Sequence, residues 1–393
     1  MKCFRFLRLL PLFFVLLSCE SEEVSVDNAL NNDETETESE VVDNIDESEN
    51  EEEDTYVFPY EEKIYDGEDI TFTSQEQMEA FDAENYTVIN ARLYFRLNEF
   101  TDSFEIPAFD SFRLVNGRLL FYYNTSISID GFNNLEEVSY LRFRAELVDW
   151  ENFEFFNGNI DIGGFERLSC VNYLSLHEFY DFNDLDDLFD KIDTLNGVNY
   201  GSQENSRNVD LSILNKFSLS KVFLVTGKAI NDLGNINLSN INRVYFGNTS
   251  LTNFETLGSI NPAIGYLQIY KNESLLTLDG LELITSHSYY EDDSLNKGVG
   301  IFSNPLLYDI NAIQNINNIW VCENSTQYDN VYLLIENNES LSDFCFLEDA
   351  INTYVESDCY TEGDSLDSIH IEEFTGNAYN PTFADFVNGD CSL

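Results

Sequence analysis

Short runs in which apolar side chains alternate with polar or aromatic ones recur along most of the chain. Leu267-x-Ile269, Val299-x-Ile301 and Leu333-x-Ile335 are the clearest. Alternation over so few residues marks a strand with one buried face. Each run leads into an Asn, at 272, 304 and 338, and Val244-x-Phe246 leads into Asn248 if one residue is deleted. Three residues after the four Asn stand Leu251, Leu275, Leu307 and Leu341; six after stand Phe254, Leu278, Ile310 and Phe344. Nine after come Leu257, Leu281, Ile313 and Leu347, and twelve after come Ile260, Ile284 and Ile316, with Ala350 in the last copy. Four copies agreeing in one register predict a repeat protein.

The pattern continues upstream in weaker form. Leu119-x-Phe121 precedes Asn124 and Ile127, with Ile129 and Phe132 on a slipped register, and further strands start near Leu93, Leu141, Leu174, Val198 and Val222. This makes about ten turns of 22 to 34 residues. A lone turn cannot bury its apolar edge, so the turns must stack and their strands must join in a parallel sheet. The fold class expected is a β-solenoid of about ten short strands with short return helices or turns. The Asn residues read as structural, since Asn at a corner can bond neighbouring turns and tolerates tight backbone geometry. Thr73-Ser74-Gln75-Glu76-Gln77 has the form of a capping box, with Met78 and Phe81 on one helical face, and predicts an N-terminal capping helix.

Composition adds a core and removes several functions. Hydrophobic residues make up 43% of the 393, including 32 Phe and 22 Tyr, which excludes wholesale disorder. Asp plus Glu number 73 against 19 Lys plus Arg, a formal charge of -54, so a nucleic-acid partner held by a basic surface is not expected. No H-E-x-x-H, G-x-S-x-G or G-x-x-x-x-G-K occurs, and His177, His287 and His370 are scattered. Neither an enzyme nor a cofactor is expected. Close cysteine spacings such as C-x2-C are absent, so no metal site is expected. The segment 181–187, Asp-Phe-Asn-Asp-Leu-Asp-Asp, has some features of a calcium loop but lacks its turn Gly and terminal Glu. With Leu185, Leu188, Ile192 and Leu195 on one face, it reads as helix instead.

The N-terminus carries targeting information. Lys2, Arg5 and Arg8 precede the apolar run Leu9 to Leu17, which is too short to span a bilayer but suits a signal peptide. Leu16-Leu17-Ser18-Cys19 resembles a bacterial lipobox; the alternative is an ordinary secretory signal with a chance cysteine. The lipobox reading makes 1–18 a signal peptide, Cys19 the lipidated residue, and lipid the sole membrane attachment. Glu20 to Asp54 holds 17 Asp or Glu and no Lys or Arg, so 19–55 reads as a solvated tether ahead of a repeat domain at 56–393. Cys19-Glu20-Ser21-Glu22-Glu23 also resembles an acidic export signal for the outer face of the outer membrane, or is simply the start of the tether.

The two ends of the repeat domain resemble receptor L-domain-like leucine-rich repeat lipoproteins of Gram-negative bacteria. The opening residues are Ile70-Thr71-Phe72-Thr73-Ser74-Gln75 and Asn85-Tyr86-Thr87. The closing ones are Leu341-Ser342-Asp343-Phe344-Cys345, the run 375–382 (Thr-Gly-Asn-Ala-Tyr-Asn-Pro-Thr) and Asn388-Gly389-Asp390-Cys391. The resemblance covers residues 64 to 393 and is weakest between 140 and 235. It implies a right-handed β-solenoid with a binding role of unspecified ligand. It also implies that Cys345 pairs with Cys391 to staple a C-terminal cap at about 345–393. Cys322 and Cys359 lie in segments longer than the family pattern and are candidate partners for each other, which leaves Cys170 unpaired. Spacing alone fixes none of these pairings.

The resulting expectation is a lipid-anchored protein of the outer membrane, facing the exterior and acting as a non-catalytic binding or adhesion module. Its partner would be an extracellular protein or glycan. The rivals are a polysaccharide-degrading enzyme with an unrecognised acid pair and a structural surface-layer component. Counted two before each Asn, Tyr122, Tyr270, Phe302 and Glu336 should point outward, with Tyr245 nearby. The steps from Asn272 to Asn304 and from Asn304 to Asn338 are 32 and 34, against 24 for the turn before. The extra lengths fall around Ser286–Lys297, with Tyr289, Tyr290, Asp292 and Asp293, and around Cys322–Asn330, with Tyr328. Both should project from one rim as ligand-binding loops. The anchor expectation is checked directly: Cys19→Ser should move the protein from the membrane to the soluble fraction without unfolding the domain. A variant that still pellets with membranes would refute the anchor.

Overall fold

Val, Ile, Leu, Phe and Tyr at alternate positions favour extended backbone, because branched and aromatic side chains pack well on a half-buried pleated surface. The computed structural model describes residues 56–97, 105–149, 154–155, 160–181, 185–207, 209–287, 298–315, 332–356, 364–366, 371 and 374–393. The chain divides into Met1–Pro59 and Tyr60–Leu393. Cys19 and the segments read above as signal peptide and tether lie outside the described residues.

Among the described residues of the second unit, eleven strands form the body of a 15-stranded sheet. They are β1 (Ile70–Phe72), β2 (Arg92–Arg96), β3 (Leu114–Tyr123), β4 (Glu137–Ala145), β5 (Leu174–Asp181) and β6 (Gly197–Arg207). The series continues with β7 (Val222–Thr226), β8 (Arg243–Gly247), β9 (Tyr266–Tyr270), β10 (Gly298–Phe302) and β11 (Tyr332–Glu336). Each pairs in parallel with the next one in sequence. Parallel neighbours joined in strict order are compatible with a coil in which each turn contributes one strand. The expected strand starts at Leu93, Leu141, Leu174, Val198 and Val222 all fall in this sheet.

Constant register stacks equivalent residues into columns. One inward column runs Leu93, Leu119, Leu141, Leu174, Val198, Phe223, Val244, Leu267, Val299, Leu333, all buried. In the first turns the next inward column is aromatic: Phe72, Phe95, Phe121 and Phe143 succeed one another at 4.8, 4.8 and 5.2 Å between ring centroids. A second stack, Phe109, Phe132 and Phe165, lies behind it at 5.0 and 5.2 Å, with the rings nearly parallel. The repeat positions three, six and nine after the Asn residues are buried in every turn.

In the last turns the corner column is made of amides. Asn272, Asn304 and Asn338 are fully buried. The backbone N–H and the Nδ2 of Asn272 both donate to Asn304 Oδ1, at 3.0 and 3.1 Å. Asn304 treats Asn338 in the same way, and Asn338 treats Asn377. Each Nδ2 also donates to a carbonyl of the preceding turn, as Asn304 does to Ile269 O at 3.1 Å. Two details differ from the sequence reading. Asn248 is exposed and stands one position early; the corner is filled by buried Thr249, whose N–H and hydroxyl donate to Asn272 Oδ1 at 2.9 and 2.7 Å. The tight left-handed geometry also falls on the residue before the corner, at Asn248, Lys271, Ser303 and Asn337, rather than on the buried Asn. Gly376 takes that position before Asn377, where a Cβ would stand 2.2 Å from Asn337 Oδ1.

Short helices occur at both ends of the sheet, and one cysteine expectation is corrected. Helix α1 (Gln75–Asp82) is capped by Ser74 and buries Met78, while Gln77 Oε1 accepts from Thr73 N–H at 2.9 Å. Helix α2 (Asp186–Lys191) takes only the end of the acidic stretch read as helix, burying Leu188 and Phe189; Asp181 closes β5, residues 182–184 lie outside the described residues, and Leu195 belongs to a short strand. At the C-terminus, α3 (Glu348–Val355) and α4 (Phe383–Asn388) follow the last strand, and Cys345 is bonded to Cys391. Cys170, expected to be unpaired, is disulfide-bonded and buried. Cys322 and Cys359 lie outside the described residues.

The amide ladder should be costly to interrupt. Asn304→Ala would leave the buried Asn272 N–H without a partner, at about 1–3 kcal/mol, and would also remove the bonds from Asn304 Nδ2 to Asn338 Oδ1 and the Ile269 carbonyl. We expect a loss of roughly 3 kcal/mol or more in urea unfolding, against less than about 0.5 kcal/mol for exposed Asn248→Ala. Equal effects of the two substitutions would refute the ladder's role.

Candidate functional site

Because inward and outward residues alternate, each strand presents three outward positions separated by two buried ones. The relevant cores are 92–96, 118–122, 140–144, 173–177, 197–201, 222–226, 243–247, 266–270, 298–302 and 332–336. Apart from Tyr122 in the second, the aromatics picked out by repeat counting lie in the seventh to ninth, and the first four carry a different chemistry.

In the later turns Tyr270 pairs with Phe302 and Phe302 with Glu336, so these three form one outward column as expected. The rings of Tyr270 and Phe302 stand 4.7 Å apart, and Lys271 Nζ lies 4.8 Å from the Tyr270 ring centre. Tyr245 belongs to the middle column, opposite Gln268, and Gly247 faces Tyr270. The Tyr245 ring fills the space a side chain at 247 would take: a Cβ there would come within 2.5 Å of Tyr245 Cε1. Burial, with Tyr270 and Tyr266 nearby, pushes the Tyr245 phenol up to about 12. Tyr245, Tyr270 and Phe302 are thus brought together. Tyr122 shares their outward column but lies several strands away, between Arg96 and Arg144. Tyr289, Tyr290, Asp292 and Asp293 lie outside the described residues.

The earlier strands hold residues that repeat counting missed. Arg92 faces Arg118, which faces Tyr140; Leu120 faces Arg142, which faces Ser175; Tyr122 faces Arg144, which faces His177. The Arg118 guanidinium lies 4.9 Å from the Tyr140 ring centre and that of Arg142 5.2 Å from the same ring. Arg142 also hydrogen-bonds the Tyr140 hydroxyl and donates to Ser175 Oγ at 3.2 Å. Tyr140 stacks on Tyr173 at 4.9 Å, and Arg96 lies 5.6 Å from the Tyr122 ring centre. The signal was present in the strand sequences Arg92-Leu-Tyr-Phe-Arg96 and Tyr140-Leu-Arg-Phe-Arg144, whose apolar pairs alternate with arginine and tyrosine.

His177 sits at the end of this group. Burial, with help from the Arg142 and Arg144 charges, depresses its imidazole to about 4. Asn199 Nδ2 faces its Nε2 at 3.2 Å, so that ring nitrogen accepts and the imidazole is neutral at pH 7. Among the described residues two carboxyls are pushed upward: Asp82, by burial and then by Asp110, at the end of α1, and Glu137, by burial, at the start of β4. One group of possible metal ligands occurs among the described residues, Cys345, Glu348 and Cys391. Its two sulfurs form the disulfide, so it offers no thiolate.

His177 gives a pH-dependent stability with a defined sign. Its folded pKa is below the ordinary value of 6.5, so between pH 6.5 and about 4 the unfolded chain takes up a proton that the folded one refuses. The contribution is complete above pH 6.5 and is lost as pH falls towards 4, to a limit of about 3 kcal/mol. Against His177→Gln, which does not titrate, the wild type's thermal midpoint should fall more steeply across that window. Parallel curves would refute the assignment.

No family model, no curated protein and no solved structure matches the chain, so the receptor L-domain resemblance rests on its motifs alone.

Proposed function

We propose that the protein is a non-catalytic binding or adhesion module of receptor L-domain-like, right-handed solenoid build. It would be held at the exterior of the outer membrane by a lipid on Cys19. One observation carries the binding reading: the outward face of the sheet is a continuous array of side chains in fixed register. On it the half-buried aromatics Tyr245, Tyr270 and Phe302 lie side by side. Rings held rigidly by packing supply contact area at little entropic cost, which suits a glycan or protein surface. The rival enzymatic reading needs a carboxyl pair with separated pKa values facing a ligand. The two described carboxyls pushed upward, Asp82 in α1 and Glu137 at the start of β4, belong to different elements. The anchor reading is supported by the lipobox-like Leu16-Leu17-Ser18-Cys19. Among the described residues, no helix is long and apolar enough to cross a membrane.

The test is a screen of the protein against glycans and secreted proteins, followed by Tyr245→Ala, Tyr270→Ala and Phe302→Ala combined. For a ligand found in the screen we expect at least about tenfold weaker binding, equivalent to about 1.4 kcal/mol. Unchanged affinity in a folded variant would sink this aromatic site. Turnover of any polysaccharide would overturn the non-catalytic reading.

A further inference from the structure

Charge is distributed unevenly in this protein. Of its 73 Asp and Glu, the six strand cores from 92–96 to 222–226 contain none, inward or outward. Strand propensity alone disfavours Asp and Glu, so their absence is unremarkable by itself. It does not explain why six of the eleven arginines, at 92, 96, 118, 142, 144 and 243, occupy outward positions on the sheet. No lysine occupies an outward position of any of the ten cores. In so acidic a chain an arginine readily finds a carboxylate. Arg92 does, with Asp69 at 3.8 Å, and Arg144 does, with Glu146 at 3.5 Å. Arg118 and Arg142 do not: among the described residues their neighbours are the Tyr140 ring and, for Arg142, the Ser175 hydroxyl.

We infer that the outward face of β2 to β5 is a binding site for an anionic polysaccharide, its carboxylate or sulfate groups taken by Arg118 and Arg142 and its sugar rings resting on Tyr122 and Tyr140. The inference deepens the binding-module reading and rests on it, but places the ligand on strands separate from the Tyr270 cluster. A planar guanidinium offers paired donors that match a carboxylate or sulfate, and it stays charged at any physiological pH. Its stacking on tyrosine holds the fork in place before the ligand arrives. Strands about 4.8 Å apart are spaced close to the length of one pyranose unit. A chain crossing them can therefore repeat the same contact from strand to strand.

Other polyanions fit less well. An extended acidic peptide binds a sheet best by adding a strand at an open edge, and β3 and β4 have neighbours on both sides. A nucleic acid carries a charge on every nucleotide and meets the repulsion of a chain of net charge -54. An acidic glycan spreads fewer charges over more apolar ring surface. Beyond a Debye length of about 8 Å at physiological salt the protein's remote acids are screened, so contact is governed by the local arginines.

The experiment measures binding of the full chain to polygalacturonate, with neutral dextran, polyglutamate and single-stranded DNA as comparators. Wild type should bind polygalacturonate and none of the others. The pair Arg118→Ala and Arg142→Ala should weaken binding at least about tenfold in a variant that stays folded. Arg118→Lys, which keeps the charge and loses the fork, should fall between the two. The Tyr245, Tyr270 and Phe302 triple variant should bind polygalacturonate as wild type does. Absence of polygalacturonate binding, equal binding of dextran, polyglutamate or DNA, or unchanged affinity in the folded double variant would each overturn the inference. A ligand lost only in the aromatic triple variant would leave the binding-module reading standing while this one fell.

Discussion

Parallel pairing in a nearly unbroken register is the constraint on which the rest of this structure depends. Residue for residue, each strand faces its counterpart in the next turn, so a side chain at a given position must tolerate its own equivalent about 4.8 Å away. Leucine, isoleucine and valine do so through dispersion, and phenylalanine does so by stacking, as Phe95, Phe121 and Phe143 show. An asparagine does so because its amide carries donor and acceptor together, so one side chain's Nδ2 meets the next one's Oδ1. A buried carboxylate column could not, since like charges would face each other without water. The early turns use phenylalanine in their inner stacks and the late turns use the amide corner, and both satisfy the same geometric demand.

Outward columns face water, yet register constrains them too. Opposed like charges on neighbouring strands are destabilising. Tyrosine relieves this where arginines are dense: Tyr122 separates Arg96 from Arg144, and Tyr140 receives Arg118 and Arg142 on its ring. Arg92 and Arg118 are directly opposed, and there Asp69 stands beside Arg92. Such an arrangement sorts charge by position in the early turns, whose strand cores carry arginines and no carboxylate. A net charge of -54 is therefore a poor guide to what the sheet face can bind.

The late turns were legible in the sequence because a buried Asn is rare, and its companions at three, six and nine residues repeat without exception. The slip at Asn248 has a physical cause. Thr249 can replace the corner amide because its hydroxyl donates to Asn272 Oδ1, while the left-handed position before it happens to be Asn. A reading that follows residue identity is drawn to the wrong one. The early turns were legible only as strands, since a Phe stack is inconspicuous in a chain with 32 Phe. Their outward arginines were hidden for a related reason. They align only once the strands are paired, and an irregularity between Val115 and Arg118 displaces the register that counting would carry forward. Three of the aromatic candidates could be found by counting from the Asn, because they lie within two strands of one another.

The amide ladder also explains the construction of the C-terminal cap. Each corner amide receives at Oδ1 from the turn before and donates to the turn after, so the ladder has a direction and needs a different terminator at each end. At its start Thr249 suffices, since the first member has only to donate, and it does so through N–H and hydroxyl. At its end the last amide still needs an acceptor where no further turn exists. Asn377 finds one within its own turn: its N–H and Nδ2 donate to Asn380 Oδ1 at 3.1 and 3.0 Å, and Asn380 Nδ2 returns a bond to Asn377 O. The chain is then held in place directly beyond, by the reciprocal Thr382–Asp385 cap of α4 and by the disulfide from Cys391 back to Cys345. Covering the last apolar edge would require only a hydrophobic helix. Terminating a polar ladder requires an oxygen at one fixed point, and a cap pinned by a covalent bond and a capping box holds Asn380 there.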